Sequence, residues 1–146
     1  ADDHVVTWMP GAVLAIRRSA SHGLAFDEVL ERGPTGPYAL AEDLDLSHRL
    51  AKRGRLRFVA AAQATHLGAE SWRLGWPPYW EMRTLVRRYL AGKPDLGLSP
   101  AWARSYLAVD LALATTLVVT GRGRVGCLTA AVRGAVGTPL DRRPER

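Results

Sequence analysis

Three carboxylates fall within four residues at Glu42, Asp43 and Asp45, directly ahead of Leu46 and Leu50. Carboxylates in the first turn of a helix sit in its positive end-field, where one can bind a cation, hydrogen-bond a sugar hydroxyl or accept its proton. Plain helix capping is the simpler reading, since acids are favoured in any first turn. Asp43-Leu44-Asp45 also imitates a metal-binding Asp-X-Asp triplet. Residues two apart on a helix point in different directions, so the triplet is not read as a metal clamp. The second candidate is His66, whose neutral imidazole could ligate a divalent metal, donate to a phosphate or simply bond within a loop. His4, His22 and His48 carry no such context. The lone Cys127 excludes an internal disulfide and a paired-cysteine zinc site.

These groups need elements to hold them. Glu42 to Gly54 carries acids first, bases last and a terminal glycine, which predicts a helix of about three turns. Leu56-Arg57-Phe58-Val59 predicts a strand returning beside it. Ten helical residues advance roughly 15 Å and five strand residues cover a similar distance, so His66 is expected back at the level of Glu42 and Asp43. Upstream, Val5–Met9 and Ala12–Ile16 flank Pro10-Gly11 and read as strand, turn, then strand or short helix. Gly33-Pro34-Thr35-Gly36-Pro37 reads as a loop.

Downstream, Pro77-Pro78 opens an amphipathic basic helix through Tyr79, Met82, Leu85, Val86, Tyr89 and Leu90, stopped by Gly92 and Pro94. Ser99-Pro100 signals a cap and first turn for a longer helix ending at Gly121. A last helix is expected over 125–136, with an unstructured tail from Gly137. Asp110 and the absence of about 20 consecutive uncharged apolar residues argue against a membrane span. Trp72, Trp76, Tyr79 and Trp80 either pack the basic helix onto its domain or hold it on a membrane surface.

The chain has 146 residues, 47% hydrophobic, which suits one globular domain or part of a larger one and excludes general disorder. Its net charge of +6 is carried almost wholly by arginine, with Lys52 and Lys93 the only lysines. That favours anionic partners. A nucleic-acid-binding module is disfavoured, because the bases are scattered and acids cluster on the best-defined helix. Ala1 begins in mid-pattern, so a fragment is expected.

In order, Trp8-Met9-Pro10-Gly11-Ala12, Ile16-Arg17-Arg18, Phe26-Asp27-Glu28, Glu42-Asp43-Leu44-Asp45-Leu46 with Arg49-Leu50 and Gly54, then Phe58-Val59, His66 and Ser71, resemble the C-terminal half of family 2 glycosyltransferases. The resemblance covers about residues 5–93. It implies an α/β fold, namely the acceptor-side half of a GT-A nucleotide-sugar transferase followed by a helical extension. It also implies inverting transfer from a nucleotide-sugar donor to a glycan or lipid-linked acceptor, with Mn²⁺ or Mg²⁺ at the diphosphate. By the same resemblance Asp43 is the general base, Glu42 its neighbour in the acceptor site, Trp8 and Gly11 line the sugar pocket, and His66 joins the metal shell.

The family's nucleotide-binding half and its own Asp-X-Asp have no counterpart here, so the chain alone is expected to be inactive. The Gln-X-X-Arg-Trp motif of processive members is also missing, which favours single addition. The expected organisation is a catalytic part over 1–94, a helical and membrane-peripheral extension over 95–136, and a tail over 137–146. The setting implied is the cytoplasm at the inner face of the cell membrane, in envelope or glycoconjugate assembly. The competing reading is a non-catalytic, basic, membrane-peripheral or interaction domain.

Overall fold

The structure, a computed structural model, describes residues 3–9, 13–30, 32–33, 36–37, 40–65 and 76–137. The chain divides into two compact units, one of residues 1–28 with 41–68, the other of 29–40 with 69–146.

In the first unit β1 (His4–Val6) pairs antiparallel with β4 (Leu56–Phe58), His4 opposite Phe58 and Val6 opposite Leu56. Between them come α1 (Arg18–Ser21) and α2 (Glu42–Ala51), the three-turn helix that the acid-first, base-last pattern predicts. Leu46 and Leu50, one turn apart, bury against Leu56, with Val6, Met9, Ile16, Ala20 and Leu24 packed around them. Each such leucine contributes about 1.5–3 kcal/mol of apolar burial.

One expectation fails here. Residues 13–17 form neither the strand nor the short helix expected of this segment. Leu14 and Ile16 turn inward while Val13, Ala15 and Arg17 are exposed, so the alternation of a strand is present. A strand also requires a hydrogen-bonded neighbour, and among the described residues none pairs with this segment.

The second unit is helical. It holds α3 (Pro77–Ala91), α4 (Pro100–Val119) and α5 (Val125–Val136), so α3 packs with the two later helices. It also contains β2 (Arg32–Gly33) and β3 (Gly36–Pro37), a two-residue antiparallel ladder. Three of its four residues fall in the stretch expected to be only loop, because two glycines and two prolines forbid a helix but not short strand pairing.

The approach of α3 to α5 depends on small residues four apart, Gly126, Ala130 and Gly134. A Cβ at Gly134 would meet Thr84 Oγ1 at 1.9 Å and the Glu81 carbonyl oxygen at 2.4 Å. Only a hydrogen fits there. The Thr84 hydroxyl uses the closeness, lying 3.2 Å from the Ala131 carbonyl oxygen and 3.1 Å from that of Trp80. Arg88 donates to the carbonyls of Gly134 and Gly137 at 3.0 and 2.7 Å, which satisfies acceptors that the end of α5 would otherwise leave open. Ser99 caps α4 as expected, its Oγ accepting from the Trp102 N–H at 3.1 Å.

Tyr79 and Trp80 are buried against Ala114, Cys127, Ala130 and Ala131, with Trp76 packed on this cluster. The packing reading of these aromatics therefore holds, and Tyr79 and Trp80 are not available to a membrane. Trp72 lies outside the described residues. By length and composition alone α4, at 20 residues, is apolar enough to cross a membrane. Its one acid, Asp110, is fully buried.

Candidate functional site

The chain enters α2 through Ala41, whose φ of 62° lies in the left-handed region that a residue with a Cβ seldom occupies. Its carbonyl accepts the first helical bond, from the Asp45 N–H at 3.0 Å. Glu42 and Asp43 follow, both partly exposed, and Asp43 Oδ1 accepts from the Leu44 N–H at 2.7 Å. Asp45 is fully buried, its Oδ2 receiving Arg49 Nε at 3.0 Å and the terminal Nη2 at 2.6 Å. The 100° turn per residue thus separates two chemistries. Glu42 and Asp43 stay within reach of solvent, while Asp45 is a structural ion pair and no partner of Asp43 in a metal clamp.

Ser47 stands one turn after Asp43 on the same helix face. Its Oγ accepts from the Met9 N–H at 3.1 Å and lies 3.3 Å from the Met9 carbonyl oxygen. The strand exit Trp8-Met9 is therefore fixed about one helical turn from Asp43, with Trp8 48% exposed. Two further side chains hold the irregular segment before α2. Arg49 Nη2 donates to the Ala25 carbonyl at 2.7 Å, and Arg53 donates to those of Ala20 and His22. At the other strand end, Asp3 Oδ1 accepts from the Ala60 N–H at 3.1 Å.

Of the residues expected in the site, the structure gathers Asp43, Glu42 and the Trp8 segment around the start of α2. Gly11 and His66 lie outside the described residues. Among the described residues, no three His, Cys, Asp or Glu side chains form a group that could hold a metal ion. They do not fit the implied Mn²⁺ or Mg²⁺ by themselves.

Near the opposite end of α2 an open groove of about 610 Å³ has an apolar lining that includes Ile16, Leu50 and Leu56. Arg17, Arg53, Arg55 and Arg57 also line it, and no carboxylate does.

The second unit holds a charge cluster that sequence reading missed. Asp110, buried in the middle of α4, receives Arg83 Nε at 2.8 Å on Oδ1, and Arg87 Nη1 on Oδ2. Arg83 also donates to the Tyr79 hydroxyl at 2.7 Å, and Arg87 stacks over the Tyr106 ring at 4.7 Å. Burial works against both guanidinium charges. For Arg83 the hydrogen bond and charge of Asp110, aided by Tyr79, outweigh burial and raise its pKa above the ordinary value. Arg87, desolvated and repelled by Arg83, is held below its ordinary value. The separations of 27 and 23 residues between Asp110 and its partners left no local signal.

Comparison of the chain with family models, with curated proteins and with solved structures finds no match.

Proposed function

We propose that the chain is the acceptor-side half of an inverting glycosyltransferase that moves a sugar from a nucleotide-sugar donor to a glycan or lipid-linked hydroxyl. One observation carries this reading. Ser47, one turn after Asp43 on α2, holds the backbone of Met9, the neighbour of the exposed Trp8, so the chain bearing that aromatic is tied to the helix bearing a solvent-accessible carboxylate. The strained Ala41 backbone just before Glu42 and Asp43 supports it, since such conformations cluster at functional sites.

Asp43 would take the proton of the acceptor hydroxyl as that oxygen attacks the anomeric carbon. The bond from that carbon to the donor diphosphate breaks, and the product has inverted configuration. Glu42 would hydrogen-bond the acceptor, and Trp8 would offer its ring to the apolar face of a sugar. No step here is routed through a metal.

The test is turnover by the full-length gene product across a panel of nucleotide sugars, wild type against Asp43→Asn. Loss of a general base costs about 10²–10⁴-fold in kcat. Donor binding should stay within about twofold, and Glu42→Gln should act mainly on the acceptor KM. Unchanged kcat in Asp43→Asn would remove the assignment.

A further inference from the structure

A surface helix of a soluble domain normally turns charged side chains to water. α4 does not. Its only buried residues are Asp110 and Ala114. After Arg104 its exposed positions are Ser105, Tyr106, Ala108, Val109, Ala112, Leu113, Thr115, Thr116 and Val119, about four turns without a charge. The serine and threonine hydroxyls on this face are satisfied within the helix, Ser105 by the Ala101 carbonyl, Thr115 by Leu111 and Thr116 by Ala112, each at 2.8–2.9 Å. They ask nothing of water.

α5 repeats the pattern. Val125, Thr129, Val132 and Val136 are exposed along one face, and the Thr129 hydroxyl lies 3.0 Å from the Gly126 carbonyl oxygen. Arg133, at the edge of that face, reaches back to Glu81 of α3 at 3.3 Å. Both helices present their opposite sides to α3, through Asp110 in one and Gly134 with Ala131 in the other. The turn that joins them carries Arg122 and Arg124, both exposed, between Val119 at 80% and Val125 at 64% exposure.

We infer that the faces of α4 and α5 turned away from α3, together with the 120–124 turn, lie in the interface of an anionic membrane. The valines sit at the level of the acyl chains, and Arg122 and Arg124 sit among the lipid phosphates. Charge complementarity names the occupant, since exposed guanidinium groups lie between the apolar faces of two helices, the pairing of base and apolar surface that anionic interfaces attract. Lying flat is favoured over crossing. A crossing α4 would carry Asp110, Arg83 and Arg87 to mid-bilayer and would drag along α3, which also bears Glu81 and Arg88. At 12 residues, α5 reaches only about 18 Å, short of the return. This inference stands whether or not Asp43 is a base.

The test is flotation of the whole chain with phosphatidylcholine vesicles, with and without about a third phosphatidylglycerol. Wild type should float with the anionic vesicles and be released by high salt. Arg122→Ala with Arg124→Ala should lower partitioning about 25-fold, about fivefold per arginine. Val119→Asp with Val125→Asp should lower it at least about tenfold at unchanged far-ultraviolet circular dichroism. Should the aspartates unfold the helix pair, Val119→Ser with Val125→Ser carries the same test. Absence of flotation by wild type overturns the inference, as does equal flotation by either double variant. A salt-insensitive dimer that the valine variants dissolve, without vesicle binding, overturns it in favour of a second copy of the chain.

Discussion

Among the described residues each unit contains one aspartate with no exposed surface, and the two are neutralised differently. Asp45 in the first unit is met by Arg49 of its own helix, four residues on. Asp110 in the second is met by Arg83 and Arg87 from a neighbouring helix. Arg49 also donates to the Ala25 carbonyl, so the first unit uses charge to fix irregular chain against a helix. Arg83 and Arg87 instead lock α4 onto α3, so the second unit uses charge to join two regular helices. The lesson is that a buried carboxylate marks a different weak point according to where its partner lies. In the first unit it is a loop attachment, in the second a whole helix interface.

Breaking the inter-helix pair should have the largest effect. Asp110→Ala leaves two partly buried guanidinium groups facing apolar surroundings and should cost about 3 kcal/mol, read by denaturant unfolding. Hydrogen exchange should show α3 and α4 losing protection while α2 and β4 keep theirs. Uniform loss would show that the contrast between the units is false. Gly134→Ala should follow at about 2–3 kcal/mol, because the new methyl meets backbone at Glu81 and cannot be accommodated by a rotamer change. The observable is the same loss of protection in α3 and α5.

Asp45→Ala should cost less, about 1–2 kcal/mol, since Arg49 at 17% exposure can swing to water. Its signature is faster exchange around residues 20–25 with α2 intact. A cost equal to that of Asp110→Ala would erase the distinction. Smallest of the four, Ser99→Ala should remove about 1 kcal/mol by uncapping α4, measured as a lowered Tm.

The helices were legible because their ends carry strong local chemistry. Pro77, Ser99-Pro100, Gly92 and Gly121 mark boundaries that hold within a residue or two. Asp45 reads from sequence only as one of three first-turn acids, although its spacing of four from Arg49 permits the pairing that the helix makes. From sequence Asp110 argues against a membrane span, and no periodicity shows which residue 27 positions away will neutralise it. The outer face of α4 became apolar only once the fold had turned that one charge inward. The stretch 13–17 has the alternation of a strand, yet a strand's existence depends on a partner that local pattern cannot supply. For the candidate site, the acids at the start of α2 were plain in the sequence. The tie from Ser47 to Met9 was not, because 38 residues separate them.

That tie has a mechanical consequence. A single hydroxyl, giving to a carbonyl and taking from an amide of the same residue, stands in for the strand neighbour that the end of β1 lacks. β1 cannot then slip along β4 without rotating α2, so sheet register and helix orientation become one coordinate. A side chain that merely fills space at position 47 would uncouple them. The chain would keep both elements and lose the tie between the Met9 backbone and α2.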